Sequence, residues 1–575
     1  MKRILISAEQ LKENASQVIN QAICQASDGA TICLEAGEYP LSSPILIEEI
    51  KNLTFDGGGS TLRPFFDRTK DQDHGTDVMH CARCANLLIK NFKVCASQSA
   101  NTAVRILDAN LDYADVEVHA REPFCGKENF DSGMTFTEDG RPLRCYWIKG
   151  ELDPAKRAVI AGEIAVTSPL QKKVPYEEIG PQQYRIYSTS LREHGFGQVP
   201  TANSVAVLRK GMFGCIKHSV YGNTAFVFRD CEGVTVEDVK ITNFGGFAFI
   251  VLPRCFDFTF RRVRIQTEDF EHQPYSITGD GIHTTGLGGK FIVEDCFFER
   301  LGDDAINLHT QVISPREITA NGARLIYDKI KGMVNDSWAK AGDRLTVRRA
   351  GDWQIKGEIP VKAYEKGYIT FDPLPFTLEE SDVITNQAYF ADAIVRRTTV
   401  RQPRARAFCW QSVNSLLVED CFFDSVGDVA LYFSSAFRHF LEAGPVKNVV
   451  IRRNRFLGNH LKNNTRGMIH AWIFGEEEEQ ALTHIHQNIT VQHNVFEDAA
   501  LPIYITMTDG VTITDNLFIN RREEKDSRIQ LKGCNDVLCE RNYTLCGAEK
   551  FESLPFEGGV RAVNNGYIKF LNKKN

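Results

Sequence analysis

Thr278–Thr310, TGDGIHTTGLGGKFIVEDCFFERLGDDAINLHT, holds three aspartates in two short turns, Gly279-Asp280-Gly281 and Gly302-Asp303-Asp304. Between the turns lies one strand-like run, Phe291–Phe298. From Asp280 to Asp303 is a step of 23 residues. If 23 residues make one full coil of a solenoid, the two turns stand one above the other and three carboxylates crowd one patch of surface. The reading depends on whether that step recurs along the chain.

It does. Strand-like cores begin at Leu53, Leu88, Val116, Val234, Phe258, Phe291, Ile394, Leu416, Val449, Ile489, Val511 and Val537. With the residue before each bend as marker, Asp238 to Arg262 is 24 residues, Arg397 to Asp420 is 23 and His493 to Asp515 is 22. Longer steps, such as 33 from Arg262 to Asp295, need loop insertions. A period near 23 built from short alternating strands predicts an all-β fold, a right-handed parallel β-helix. One coil cannot bury its inner face alone, so stacking supplies the core. Ser7 to Ala26 reads as one amphipathic helix, with Ser7 and Gln10 as capping box and Leu11, Ala15, Val18, Ala22 and Ile23 on one face. Such a helix suits a cap over the open end of the solenoid.

Two gaps break the rhythm. From Asp115 to Asp238 is 123 residues, and from Asp295 to Arg397 is 102, leaving roughly 79 beyond one coil. The first gap is charged over much of Arg121 to Lys210, with strand-like pieces at Ala158 to Val166 and Tyr184 to Ser188. The second holds Gly342–Arg349 and Trp353–Val361, which read as an antiparallel barrel or sandwich. The expected division is a cap with first coils over 1–118, an inserted β domain over 119–213 and the aspartate-bearing coils over 214–310. An inserted β-barrel-like domain over 311–388 and C-terminal coils over 389–575 complete it. An insertion leaving just after the aspartates is placed to wall a site.

Composition narrows the function classes. The 575 residues are 43% apolar and 25% charged, an ordinary globular balance. A net charge of −7 gives no basic field for nucleic acid, and no apolar run reaches the ~20 residues of a membrane helix. The apolar run at Ile4–Ile6 is too short for a secretory leader, so the expectation is a cytoplasmic protein or a secreted one whose signal is absent from this sequence. The 16 cysteines do not form a disulfide-framework pattern. Cys296 and Cys421 fall at matching places in strand-like runs, as small buried groups. Cys81 and Cys84 make a lone CxxC with no second pair, a weak signal for zinc or redox chemistry.

Registering the coils stacks Asp280, Asp304 and Arg406 as a ladder with strand spacing of about 4.8 Å. The same register stacks His283 with Asn307, and His309 with Gln411 beside Trp410. Asp303 must face away from Asp304, because neighbouring residues of extended chain point oppositely. Two aspartates one rung apart repel and raise at least one pKa, so a water or sugar hydroxyl between them, with Arg406 nearby, would balance the cost. Asp303, if more enclosed, keeps its proton and acts as an acid. An acid on one side and a water-activating pair on the other equip a site for glycoside hydrolysis with inversion. His283, Asn307, His309 and Trp410 offer the polar edges and aromatic platform of a sugar site. The bland alternative is that Gly-Asp at a solenoid corner is only a turn. Asp428 in Gly427-Asp428-Val429 repeats the turn without a second aspartate.

These residues resemble the pectin-lyase-like β-helix glycosidases, and most closely glycoside hydrolase family 110, the inverting α-1,3-galactosidases. The matching parts are Asp280-Gly281-Ile282-His283 and Asp303-Asp304-Ala305-Ile306-Asn307-Leu308-His309, with insertions like that family's added β-barrel domains. In the related polygalacturonases the first of the paired aspartates is the acid and the other two activate water. The resemblance therefore implies Asp303 as acid and Asp280 with Asp304 as base. The Gly-His-Gly and Arg-Ile-Lys signatures that handle a uronate are missing from Arg404–Ser412 and Gly427–Phe433, which favours a neutral sugar. The implied partner is a galactose-terminated glycan, with no cofactor, no metal, no membrane and no nucleic acid, and a homodimer is allowed. Two other readings stand beside it. One is a polysaccharide lyase or polygalacturonase-like pectic enzyme, in which the aspartates bind Ca²⁺. The other is a glycan-binding solenoid without turnover. Room for a water implies an acid-to-base separation of roughly 6.5–9.5 Å, against about 5 Å for direct carboxylate attack.

Overall fold

The structure, a computed structural model, describes residues 2–67, 75–109, 113–119, 222–327, 337–438, 440–458, 466–474, 483–499, 501–519 and 529–545, with short further strands within 145–217 and at Gly332–Met333 and Val560–Ala562. Each coil sets three short strands around one apolar interior. In one coil these are Leu287–Glu294, Phe297–Glu299 and Ile306–Leu308. Stacked in parallel, the first two positions of successive coils form a 23-stranded sheet and the third an 11-stranded sheet. The fold is a parallel β-helix. Leu87, Val234, Phe258, Phe291, Ala393, Leu416, Val449, Ile489, Val511 and Val537 lie in one inward column. Deeper in the C-terminal coils Phe423, Phe456, Phe496 and Phe518 stack face to face at 4.7–5.1 Å. Such pairs add about 0.5–1.5 kcal/mol each beyond the area they bury.

The bend markers explain the period. Asp238, Arg262, Asp295, Arg397, Asp420, Arg453, His493 and Asp515 all have φ of 50–57°. That left-handed conformation is costly for residues with a Cβ, so its return in every coil reflects a corner the coil cannot make otherwise. The markers alternate in sign down the stack: Arg262 pairs with Asp238 and Arg397 with Asp295 at 2.7 Å, Arg453 with Asp420 and Arg541 with Asp515 at 2.8 Å. Each pair is exposed and individually worth little. As a row they oppose a slip of one coil, which would stack like charges. The next position is buried and changes from Cys296, Thr398 and Cys421 to an amide ladder, Asn454–Asn494–Asn516–Asn542. There the thiols of Cys296 and Cys421 face carbonyls at 3.3 Å, and every described cysteine is free.

The N-terminal helix is Ala8–Cys24. Ser7 Oγ accepts from Gln10 N at 3.4 Å while Ser7 N donates to Gln10 Oε1 at 2.9 Å, a reciprocal cap. Leu11, Ala15 and Ile19 are fully buried, and the helix lies on Glu38–Leu41 and Ile45–Glu48, closing the first coil.

One expected coil is not a coil. Val116–Val118 belongs to Tyr113–His119, which pairs antiparallel with Asn101–Ala109 and with Gln183–Tyr187 in a seven-stranded sheet. The first insertion therefore starts near Asn101, not after 118, and its last strand is Phe213–Lys217. Apolar alternation marks a half-buried strand whichever sheet receives it, which is why the local pattern misled. Of the expected pieces, Gln183–Tyr187 is a strand, and Ala158–Val159 and Glu163–Ala165 are short ones; much of 121–210 lies outside the described residues. The second insertion leaves after Thr310 and rejoins at Ala391–Arg396. Its five- and three-stranded antiparallel sheets enclose Leu325, Trp338, Leu345, Val347, Ile359 and Ile369.

Both insertions touch the same few coils. Ala103 N donates to His272 O at 2.8 Å, and the Asn101 amide donates to Tyr275 O at 2.8 Å, in the loop leading to Asp280. On the other flank Gln311 bridges to Glu442, at the foot of a hairpin closed by Ala436 and Glu442. The first insertion thus meets the loop before Asp280, and the second departs at Gln311 beside Glu442.

Candidate active site

Ile282, Ile306 and Phe408 are in register and point into the core. Alternation then turns His283, Asn307 and Cys409 outward. Asp280, Asp304 and Arg406 stand at the corner before each strand, outside that alternation, and Asp280 reaches out to His283. The stack is bonded through its own carboxylates. Asp304 N donates to Asp280 Oδ1 at 3.1 Å, and Arg406 N donates to Asp304 Oδ1 at 2.9 Å, so each aspartate caps an amide of the next coil. The glycines of both turns are there for room. A Cβ on Gly281 would lie 2.5 Å from Ala305 O, and one on Gly302 would lie 2.4 Å from Thr278 O.

Asp303 joins the pair from the adjoining position. One oxygen from each of Asp280, Asp303 and Asp304 lies within 4.8 Å of one from each of the others. Three negative charges so close require partners. Arg406 grips Asp304 twice, Nε to Oδ1 at 2.8 Å and Nη2 to Oδ2 at 2.5 Å, and its guanidinium lies 5.3 Å above the Tyr432 ring. Arg404 meets Asp303 Oδ1 through Nη2 at 3.0 Å and donates from Nε to Gly302 O. His283 Nδ1 is 2.7 Å from Asp280 Oδ2.

Burial decides the titration. It pushes Asp304 up to about 7, against the pull of Arg406 and with Asp280 and Asp303 adding to the rise. Burial also raises Asp280, with the His283 bond opposing and the Asp303 charge adding. Crowding by neighbouring carboxylates adds to the rise at both. Burial works against a charge on His283, yet the bond and charge of Asp280, then Glu442 and Asp304, carry it above the ordinary imidazole value.

Several expectations change. Asp303 is not the most enclosed of the three: its side chain is 14% exposed, against 6% for Asp280 and 1% for Asp304. It sits beside the ladder rather than within it. Trp410 is not a sugar platform. It follows Leu308 in register, is fully buried and meets Phe291 and Phe408 edge to face inside the helix. His309 faces outward in register with Gln411 but is 2% exposed, because it stands behind His283 under the Ala436–Glu442 hairpin. Asn307 is in place beside His283, and its Oδ1 has no bonding partner among the described residues. The 4.8 Å is the reach between one oxygen of each carboxyl, shorter than the separation of whole carboxyl groups to which the expected 6.5–9.5 Å refers.

Three residues were missed. Arg404 was recoverable, since it lies opposite Gly302 by the register that pairs Arg406 with Asp304. Tyr432 was also recoverable, because it continues the column His283, Asn307, Cys409. Glu442 sits on a hairpin outside the repeat, and no periodic signal marks it. A separate groove of about 460 Å³ beyond that hairpin is lined by Arg316, Phe437, Arg438 and Leu441 among others, and by none of the three aspartates.

Among the described residues, the aspartates are also the one group of His, Cys, Asp or Glu spaced to hold a cation. Arg406 already occupies both oxygens of Asp304, and His283 one of Asp280.

A parallel β-helix carrying a buried three-carboxylate cluster on its outer face is the class that fold and site define. No protein-family model matches the chain. It is similar to alpha-1,3-galactosidase B of Akkermansia muciniphila, 23% identical over 528 residues, covering 88% of this chain and 62% of that protein. The chain thus spans under two thirds of that relative's length. It is also similar to alpha-1,3-galactosidase B of Bacteroides thetaiotaomicron, 23% identical over 577 residues, covering 92% of this chain and 88% of that one. Among solved structures, a family 28 exopolygalacturonase from Yersinia enterocolitica aligns at a TM-score of 0.42 and 12% identity, over 96% of this chain and 77% of the other. The coil register, not this likeness, defines the fold.

Proposed function

We propose that the chain is a glycoside hydrolase that releases terminal α-1,3-linked galactose from glycans, exo-acting and with inversion. The carrying observation is the convergence of Asp280, Asp303 and Asp304 within 4.8 Å, each held by its own cationic or imidazole partner. The names of the relatives supply the sugar and the linkage. The site favours a neutral substrate, because Arg404 and Arg406 are already paired with aspartates and do not offer a new site to a uronate. The insertions beside the aspartate coils favour removal of a terminal residue.

In this reading Asp303, the most exposed carboxyl, gives its proton to the glycosidic oxygen. Asp280 and Asp304 orient a water and take up its proton. The short carboxylate spacing does not by itself select inversion. Accessibility supports it: Asp304 is enclosed with both oxygens on Arg406 and Asp280 is tied to His283, which suits these two carboxylates to accepting from a water more than to bonding the anomeric carbon. Arg404 beside Asp303 stabilises the charged carboxylate and opposes the acid role, while the two neighbouring carboxylates oppose that charge. A panel of α-1,3-, α-1,4-, α-1,6- and β-linked galactosides, with released sugar followed by chromatography, tests the reading. Galactose from the α-1,3 substrates first is expected; no release from any galactoside would overturn it.

The cation-dependent lyase reading rests on the same cluster. Three oxygens at this spacing can surround a calcium ion. Loss of activity in EDTA with an ultraviolet-absorbing unsaturated product would favour it; unchanged activity in EDTA is expected.

A further inference from the structure

Behind Asp280 runs a line of titratable groups that leads away from the substrate side. His283 Nδ1 is 2.7 Å from Asp280 Oδ2, His283 Nε2 is 3.3 Å from His309 Nε2, and His309 Nε2 is 3.9 Å from Glu442 Oε1. Gln411 Nε2 donates to Glu442 Oε2 at 3.4 Å. Glu442 retains partial exposure, 18% of its side chain, whereas His309 has 3%. The line therefore joins a buried carboxylate to a carboxylate with access to water.

The hydrogen-bond roles along it can be assigned from the network. His309 Nδ1 faces Thr310 O at 3.4 Å, and a carbonyl only accepts, so that nitrogen carries a hydrogen. A neutral His309 then presents Nε2 as acceptor, and His283 Nε2 is the donor to it. The contact between His283 Nδ1 and Asp280 holds one more proton. The Asp280–His283 pair thus carries one proton beyond a neutral imidazole and a free carboxylate. Tyr327, on the inserted domain, and Cys409 also face Glu442; burial, with help from the Glu442 charge, pushes each up to about 12, so both stay protonated and neither takes a proton. Asp304 and Arg406 lie beyond Cys409 and are engaged with each other.

We infer that His309 and Glu442 are positioning residues that drain the proton Asp280 takes from water. The inference rests on the hydrolase reading. As the water oxygen bonds to the anomeric carbon, its O–H breaks and the proton goes to Asp280, while the leaving oxygen takes the proton of Asp303. Once that proton neutralises Asp280, the charge that supported the His283 imidazolium is gone and His283 Nε2 gives its hydrogen to His309 Nε2, so one proton leaves the pair for the one that enters. The resulting imidazolium faces Glu442, which releases the proton to solvent. Asp303 is recharged from solvent, so the proton count closes with each turnover.

The test uses the full chain and two variants. Glu442→Gln keeps the shape of the side chain and removes its charge. It should lower kcat on the order of tenfold with KM unchanged. The acidic limb of kcat/KM should move to lower pH by about half a unit or more, because a negative charge that favours protonation is gone. Glu442→Asp should restore the limb. A purely structural role would leave the limb in place, and an unmoved limb with unchanged kcat would overturn the inference. Nitrogen-15 NMR of the histidines in the resting protein gives a readout independent of activity. His283 protonated on both ring nitrogens and His309 on Nδ1 alone are expected near neutral pH; a His283 that bears one hydrogen would overturn the inference. Absence of galactoside hydrolysis by the unaltered protein would instead sink the hydrolase reading, with the histidine spectrum still deciding where the protons rest.

Discussion

Asp303 and Asp428 occupy the same corner of the β-helix two coils apart. Asp303 lies opposite Ala405 by the register that pairs Ile306 with Phe408, and Ala405 lies opposite Asp428 by the register that pairs Phe408 with Leu431. Each follows a glycine forced by a close backbone: a Cβ on Gly302 would come 2.4 Å from Thr278 O, one on Gly427 2.1 Å from Arg404 O. Each has an arginine, Arg404 at 3.0 Å for Asp303 and Arg466 at 2.8 Å for Asp428. The difference is the company. Asp303 has Asp304 beside it and Asp280 one coil away, whereas Asp428 has Val429 beside it and Ala405 above. In the proposed reading a Gly-Asp corner alone is scaffold, and convergence of carboxylates from two coils supplies the chemistry.

The sharpest way to break that contrast is to remove each carboxylate. Asp303→Asn should lower turnover by about 10²–10⁴-fold while leaving galactose binding and folding intact, since a proton donor acts in the transition state. Asp428→Asn should stay within about threefold of the unaltered protein, as a residue making no transition-state contact. Equal losses in kcat assays would erase the distinction between the two corners.

The arginines sharpen it next. Arg406→Gln leaves a buried, gripped carboxylate without its cation and should cost about 3–5 kcal/mol in urea unfolding, less whatever Asp304 recovers by taking a proton. Arg466→Gln, at a partly exposed pair, should cost no more than about 1 kcal/mol. A smaller loss at Arg406 than at Arg466 would contradict the cluster's electrostatics.

The carboxylate pair should also leave a mark on stability against pH. Asp304 is raised from 3.8 to about 7, so the folded chain holds a proton the unfolded chain has released. The stabilisation is therefore fully present below about 4 and is lost as pH rises through about 7. Urea midpoints across that window should fall with pH from this source, and Asp304→Asn should flatten the slope. An Asp304→Asn variant with the same slope would contradict the raised Asp304 carboxyl.

The smallest effect expected on function is at Trp410. Trp410→Phe should lower stability by about 1–3 kcal/mol through lost core packing and leave KM within about twofold. A large rise in KM would return Trp410 to the sugar site.

Much of this was legible because the coil corner repeats. Asp238, Arg262, Asp295, Arg397 and Asp420 share one left-handed bend, and their spacing in the sequence puts Asp280, Asp304 and Arg406 in one column. The glycine and carboxylate types at those turns were equally readable. Orientation was read less well. Trp410 follows Phe408 by two and must share its inward face, which period-two alternation could have told. Val116 misled for the opposite reason, because alternation is blind to which sheet a strand joins. Glu442 had no signal at all, since its place comes from a hairpin pressed against the inserted domain. Side-chain reach was likewise hidden: rung spacing does not say how closely Asp303 leans toward its neighbours.

Proton NMR of the first sugar released from an α-1,3-galactoside, read before mutarotation, tests the shared role of the three aspartates most directly. With Asp280 and Asp304 holding a water and Asp303 protonating the leaving oxygen, β-galactose should appear first and the α anomer only later. An initial α-galactose signal would require a carboxylate bonded to the sugar and contradict the water-holding role of Asp280 and Asp304.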